Sequence, residues 1–186
     1  MGLNIKKNKQ GFTLIELLAV VVIMGILMIV AIQSVNTIIA NTRKDTMVNI
    51  AKTYISAVRN EVLADNIKCG TSEPKENING LAGGKSYYFE IKTSDKNEAQ
   101  KLLETVGHSP YGNANIYAIV KIEKDNAGKY SYSIDITDDS GHGTNNRDGD
   151  KDKSYYSEAE LVRKVFVDND ASVALPTGGI TCVMSD

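Results

Sequence analysis

The chain has 186 residues, 42% of them hydrophobic, and a formal net charge of -2. That length holds one domain plus an anchor, and the near-neutral balance offers no basic patch of the kind a nucleic-acid surface needs. No Gly-x-Ser-x-Gly, P-loop or His-Glu-x-x-His pattern occurs, and the two histidines, His108 and His142, stand in no catalytic arrangement. An enzyme acting on a small-molecule substrate is therefore not expected.

In chain order, the first eleven residues carry Lys6, Lys7 and Lys9 with no acid, so the remainder holds -5. From Phe12 to Val35 the only ionisable group is Glu16, and from Leu17 to Ile32 there is none. A helix over 12–35 would be about 36 Å long at about 1.5 Å per residue, enough to cross a hydrocarbon core of about 30 Å. Lysines just before such a span mark its cytoplasmic flank and place the rest of the chain on the far side. The run is long for a secretory signal peptide, and no small-x-small cleavage site follows it. A plain tether would explain the apolar run but leaves Glu16 without a purpose. A carboxylate in an apolar span costs on the order of 3 kcal/mol, and such groups usually have a partner. No Lys, Arg or His lies between Thr13 and Thr42. A cut between Gly11 and Phe12 would free an amine four residues before Glu16, and that amine on a neighbouring copy is a suitable partner.

The stretch Lys-Gln-Gly-Phe-Thr-Leu-Ile-Glu-Leu-Leu at 9–18 resembles the class III signal of type IV prepilins and pseudopilins, and the resemblance extends over residues 6 to 33. It implies that a prepilin peptidase removes leader 1–11 by cutting after Gly11 and methylates the new amine of Phe12. It further implies that Glu16 neutralises that amine on an adjacent subunit and sets the axial register. Residues 12–35 would form the transmembrane and filament-core helix, and 36–186 a globular domain that includes the helix's second half. The fold expected is α+β, a long N-terminal helix packed against a small antiparallel sheet. The implied function is that of a structural subunit of a type IV pilus, serving adhesion, motility or DNA uptake. Its partners would be copies of itself, the prepilin peptidase, the assembly platform with minor pilins, and the membrane before assembly. It would start in the cytoplasmic membrane and end in a surface filament. Two alternatives stand beside this: a pseudopilin of a secretion or competence system, and a membrane-tethered binding domain that does not polymerise. One departure concerns the proline many relatives carry about twenty residues into the mature helix; Ala31-Ile32-Gln33-Ser34 stands there. Gly25 becomes the candidate for local loosening or close helix approach.

Past the anchor, the three-and-four spacing of Met47, Ile50, Ala51, Tyr54, Ile55, Val58, Val62 and Leu63 predicts an amphipathic helix to about Asn66. A loop is expected over 68–84 and a strand over Lys85–Thr93. A short helix should run from Asp95 through Ala99, Leu102, Leu103 and Val106 to Gly107. A hairpin turning at Asp125-Asn126-Ala127-Gly128 should join Ile116–Glu123 to Tyr130–Ile136. A helical turn at Ser157–Glu160 and a strand over Leu161–Val167 complete the prediction.

Cys69 and Cys182 are the only cysteines, and placement on the far side of the membrane favours a bridge over two free thiols. It would close a long segment, worth roughly 4 to 5 kcal/mol as an upper figure. Pilins often carry a C-terminal disulfide loop, but with both cysteines in the C-terminal half, so Cys69 departs from that pattern. Asn146, Asp148, Asp150 and Asp152 alternate oxygen donors that suit calcium, and some pseudopilins bind calcium in a loop of this domain. With no glycine at the sixth position and no glutamate at the twelfth the stretch is not an EF-hand, and a solvated loop is preferred. No other cofactor is expected. The nine tyrosines read as strand packing rather than an adhesive surface.

Overall fold

The computed structural model describes residues 12–95, 102–103, 107–112, 114–145, 155–169 and 171–185. Helix α1 (Leu14–Leu63) is 50 residues long. Gly25 is its only glycine and it contains no proline, so no position interrupts the ladder. It stops where Asp65 turns left-handed, with φ 67. The Asn66 amide then donates to the Glu61 carbonyl at 3.0 Å and the Asp65 amide to that of Val62 at 3.3 Å, the Schellman pattern that satisfies the last free carbonyls.

The chain divides into two units, 1–40 and 41–186. In the first, every residue from Phe12 to Ala40 is exposed. The second contains the core. There, the later part of α1 lies against a mixed sheet of β1 (Ile67–Gly70), β2 (Glu76–Asn77), β3 (Lys85–Lys92), β4 (Ile116–Lys124), β5 (Tyr130–Asp138), β6 (Gly143–Thr144), β7 (Tyr156–Ser157), β8 (Phe166–Val167) and β9 (Ile180–Met184). The order is β2-β1-β9-β3-β4-β5-β6-β8, with β7 beside β5. Every pairing is antiparallel except β3 with β9.

Alternation along β3, β4 and β5 turns Tyr87, Phe89, Ile91, Ile116, Ala118, Val120, Ile122, Ile134 and Ile136 into one cluster with Met47, Ala51, Tyr54, Ile55, Val58 and Val62 of α1. The helix face read from the sequence is thus the buried one, apart from Leu63, which is exposed, and Ile50, which packs at the margin. The central hairpin falls where expected, its turn closed by Asp125 Oδ1 accepting from the amides of Ala127 and Lys129.

Three expectations need correction, and the sheet's outer side adds a further finding. The sheet is mixed, because the C-terminal strand β9 inserts between β1 and β3. The 68–84 loop contains β2 and most of β1. The strand expected over Leu161–Val167 shrinks to Phe166–Val167, because Arg163–Val165 forms a 3-10 turn. The sheet's outer side is not uniformly solvated, since Ile119 on β4 and Asp135 on β5 are opposite each other and buried. Most of the helix expected over 95–106 lies outside the described residues; Leu102 within it is buried.

Candidate functional site

The N-terminal segment opens on Thr13, the residue before α1. Its amide donates to Glu16 Oε2 at 2.8 Å and its hydroxyl to the same oxygen at 2.9 Å. The Glu16 amide donates back to Thr13 Oγ1 at 3.3 Å. This is a capping box, in which the N-cap hydroxyl and the third helical residue satisfy each other's free amides. The carboxylate therefore has uncharged partners within its own chain. It also sits where the helix dipole favours a negative charge. One oxygen, Oε2, receives both Thr13 bonds.

Beyond Glu16 the segment is apolar all round. Phe12 is 87% exposed and Leu14 83%, and large side chains through Ile39 stay exposed. A window of 18 residues here reaches a mean hydropathy of 3.0 with none of it buried, so the helix is long and apolar enough to cross a membrane. A Cβ added to Gly25 would meet nothing within 4 Å, so no contact among the described residues requires a glycine there. Thr37 returns its hydroxyl to the Gln33 carbonyl at 3.2 Å, which removes an unmet donor from the helix surface. Gly11, the cut expected from the sequence, lies outside the described residues, as do Asn146, Asp148, Asp150 and Asp152. The ends flanking that acidic stretch, Asn145 and Tyr155, follow β6 and precede β7, both of which pair with β5. Among the described residues no group of three metal-ligating side chains occurs.

Cys69 and Cys182 are joined by a disulfide. They are register partners on β1 and β9 and both are buried, at 1% and 5% exposed.

Two polar clusters carry no sequence signal that would have singled them out. The Asp138 carboxylate accepts from Ser109 Oγ, from the amides of Ser140 and His142 at 2.9 Å each, and contacts His142 Nδ1 at 3.1 Å. Burial raises its pKa, but these hydrogen bonds outweigh burial and hold it below the usual carboxylate value. The serine hydroxyl bonds the carboxylate rather than the histidine, so the trio is a structural turn and not a nucleophilic triad. The His142 ring stacks on Tyr111 at 3.8 Å, and Tyr111 donates to Asp168 at 3.1 Å. Asp168 in turn pairs with Lys44 of α1 at 2.9 Å. The second cluster is Asp135, 2% exposed, which accepts from Thr144 Oγ1. Burial lifts its carboxyl to about 7, with the Thr144 and Ile136 hydrogen bonds acting the other way. The Asp138–His142 turn is local in sequence, but Ser109, Tyr111 and Asp168 reach it from distant parts of the chain, and the Asp135–Thr144 contact depends on how the chain returns beside β5.

The chain thus joins a helix long and apolar enough to cross a membrane to an α+β domain. Residues 6–32 match the model of the prokaryotic N-terminal methylation motif, the class III signal peptide of type IV pilins. The motif indicates a pilin-like or pseudopilin precursor and points to a structural subunit anchored in a membrane before assembly. Comparisons of the chain with curated proteins and with solved structures gave no match.

Proposed function

We propose that the protein is a structural subunit of a type IV pilus, cut between Gly11 and Phe12, methylated on Phe12, and polymerised through α1 into a surface filament. The observation that carries this is Glu16 in the first turn of an apolar helix that is exposed along its whole first unit. Moving that surface into water would cost tens of kcal/mol at about 25 cal/mol per Å². Moving it from lipid into a bundle of identical helices exchanges apolar neighbours at small net cost. The amine freed at Phe12 of one copy then meets Glu16 of the next, taking over from Thr13 and fixing the register. Assembly platform and minor subunits would serve that transfer.

The test replaces Glu16 with Ala in the native host. Cleavage should persist while filaments disappear from electron micrographs. Wild-type filaments from that variant, or a mature N-terminus at Met1, would remove the proposal.

A further inference from the structure

Where β3 begins and the β4–β5 hairpin turns, the domain has a hollow of about 400 Å³ lined in part by Lys85, Ser86, Glu123, Lys129 and Ser131. A second hollow of about 310 Å³ shares Lys85 and Ser86 and continues to Tyr88 and the 176–179 turn that leads into β9. Because β3 lies between β4 and β9, the two form one groove across its start. Glycines shape both parts. A Cβ on Gly83 would collide with the Asp125 carbonyl, and Gly84, with φ 76, would place one 2.9 Å from Asn126 Oδ1, so only glycines let the chain close against the hairpin turn. At the other end a Cβ on Gly179 would come within 3.0 Å of the Tyr88 ring.

The groove's free charge is positive, although acidic residues outnumber basic ones from residue 41 onward. Its acids are engaged: Glu123 pairs with Lys121 at 2.7 Å, and Asp125 Oδ1 accepts the two turn amides. Lys124 is occupied too, donating to the carbonyls of Asn79 and Leu81 at 2.8 Å each. Lys85 and Lys129 are both exposed, and among the described residues neither ammonium has an acidic partner.

Both neighbours of β3 are strands, so an extended peptide finds no free edge to pair with there. Recognition must run through side chains. The ammonium groups suit carboxylate or sulfate, the hydroxyls of Ser86, Ser131 and Thr177 can exchange hydrogen bonds with other hydroxyls, and the negative face of the half-buried Tyr88 ring attracts the C–H edge of a sugar. We infer that this groove binds an acidic glycan, with Lys85 and Lys129 holding its anionic groups and Tyr88 stacking on a sugar ring. Binding is a property of the domain and does not depend on the polymer proposed above; in a filament each copy would present one groove.

The experiment titrates the full-length protein, in a polyoxyethylene detergent that carries no sugar, with fluorescent oligomers of alginate, dextran sulfate and neutral dextran at low salt. At least one of the two acidic probes, which separate carboxylate from sulfate, should bind at least about tenfold more tightly than dextran, since each lysine adds a charge-assisted hydrogen bond. Lys85→Ala with Lys129→Ala should lose about that factor, and Tyr88→Leu should weaken binding of the sugar probes. Lys52→Ala with Lys164→Ala removes the same charge elsewhere and should change nothing. In the wild-type chain the amide resonances of Lys85, Lys129 and Gly179 should shift most on binding, a readout that stands even where a variant melts early. No binding of either acidic probe, equal binding of an oligoglutamate of matched charge, equal loss from the two lysine pairs, or resonance shifts centred elsewhere overturns the inference. Failure of the wild-type chain to polymerise would leave these titrations unaffected, so the two readings fail separately.

Discussion

The Asp135 carboxyl runs opposite to those of Asp45, Asp138 and Asp168. Asp45, Asp138 and Asp168 are held below their usual values, so their contributions are present above pH 4 and lost on acidification. Asp135 is raised from 3.8 to about 7, so its contribution runs the other way: present below pH 4 and lost as pH climbs to about 7. Replacing it with Asn keeps the acceptor for Thr144 and removes the charge. The stability difference between Asp135→Asn and wild type should be near zero at pH 4 and grow toward pH 8, with an upper figure on the order of 4 kcal/mol from about 3 pKa steps. Urea titrations of both proteins at the two pH values check it, and parallel pH profiles would show the carboxyl is not responsible. Thr13 makes a smaller claim. Thr13→Val keeps the amide donor to Glu16 but deletes both hydroxyl bonds, costing about 1 kcal/mol of cap stability. Hydrogen exchange at the Glu16 amide in micelles should then quicken roughly fivefold.

Among the elements, β9 determines whether the sheet is continuous. It is the only strand between β1 and β3, it joins one antiparallel and the other parallel, and its Cys182 is bonded across to Cys69. Converting both cysteines to serine should lower stability by about 2 to 4 kcal/mol and let exchange at Thr181 and Val183 rise before the β4–β5 hairpin opens. Uniform exchange across the sheet in the variant would contradict that order. This element also marks the limit of what the sequence discloses. The β4–β5 hairpin is legible because nine residues alternate on each side of an Asp-Asn-Ala-Gly turn. In contrast, β9 has five residues and follows Pro176 and two glycines, and β1 has four, so neither is long enough to show a period. Their pairing is fixed by partners more than a hundred residues apart. The stretch Leu161 to Val167 misleads in the opposite direction, because its valines and Phe166 suggest a strand while Val162 is exposed and Arg163–Val165 form a 3-10 turn before the buried Phe166. The apolar helix was legible from its first turn, because an uninterrupted apolar helix needs no tertiary partner to declare itself. The capping box is written in the sequence as Thr13-x-x-Glu16.

For the whole molecule, the division of labour between the two units makes a separable prediction. No residue from Phe12 to Ala40 is buried, whereas the hydrophobic core, the Cys69–Cys182 bridge and the ion pairs of Lys44, Asp45 and Arg59 all lie within 41–186. The first unit therefore carries an exposed apolar helix surface, and the folding free energy comes from the core of the second. A chain beginning at Asn36 should fold in water without detergent, form the disulfide, and sediment as a monomer, since it leaves behind the surface that lipid or a helix bundle must cover. In one detergent, its melting temperature should fall within about 4 °C of the full-length protein's, the shift that about 1 kcal/mol produces in a chain of this size. A larger drop would mean that residues before Asn36 support the domain. Self-association of the truncated chain in dilute buffer would mean that the domain holds copies together without the anchor.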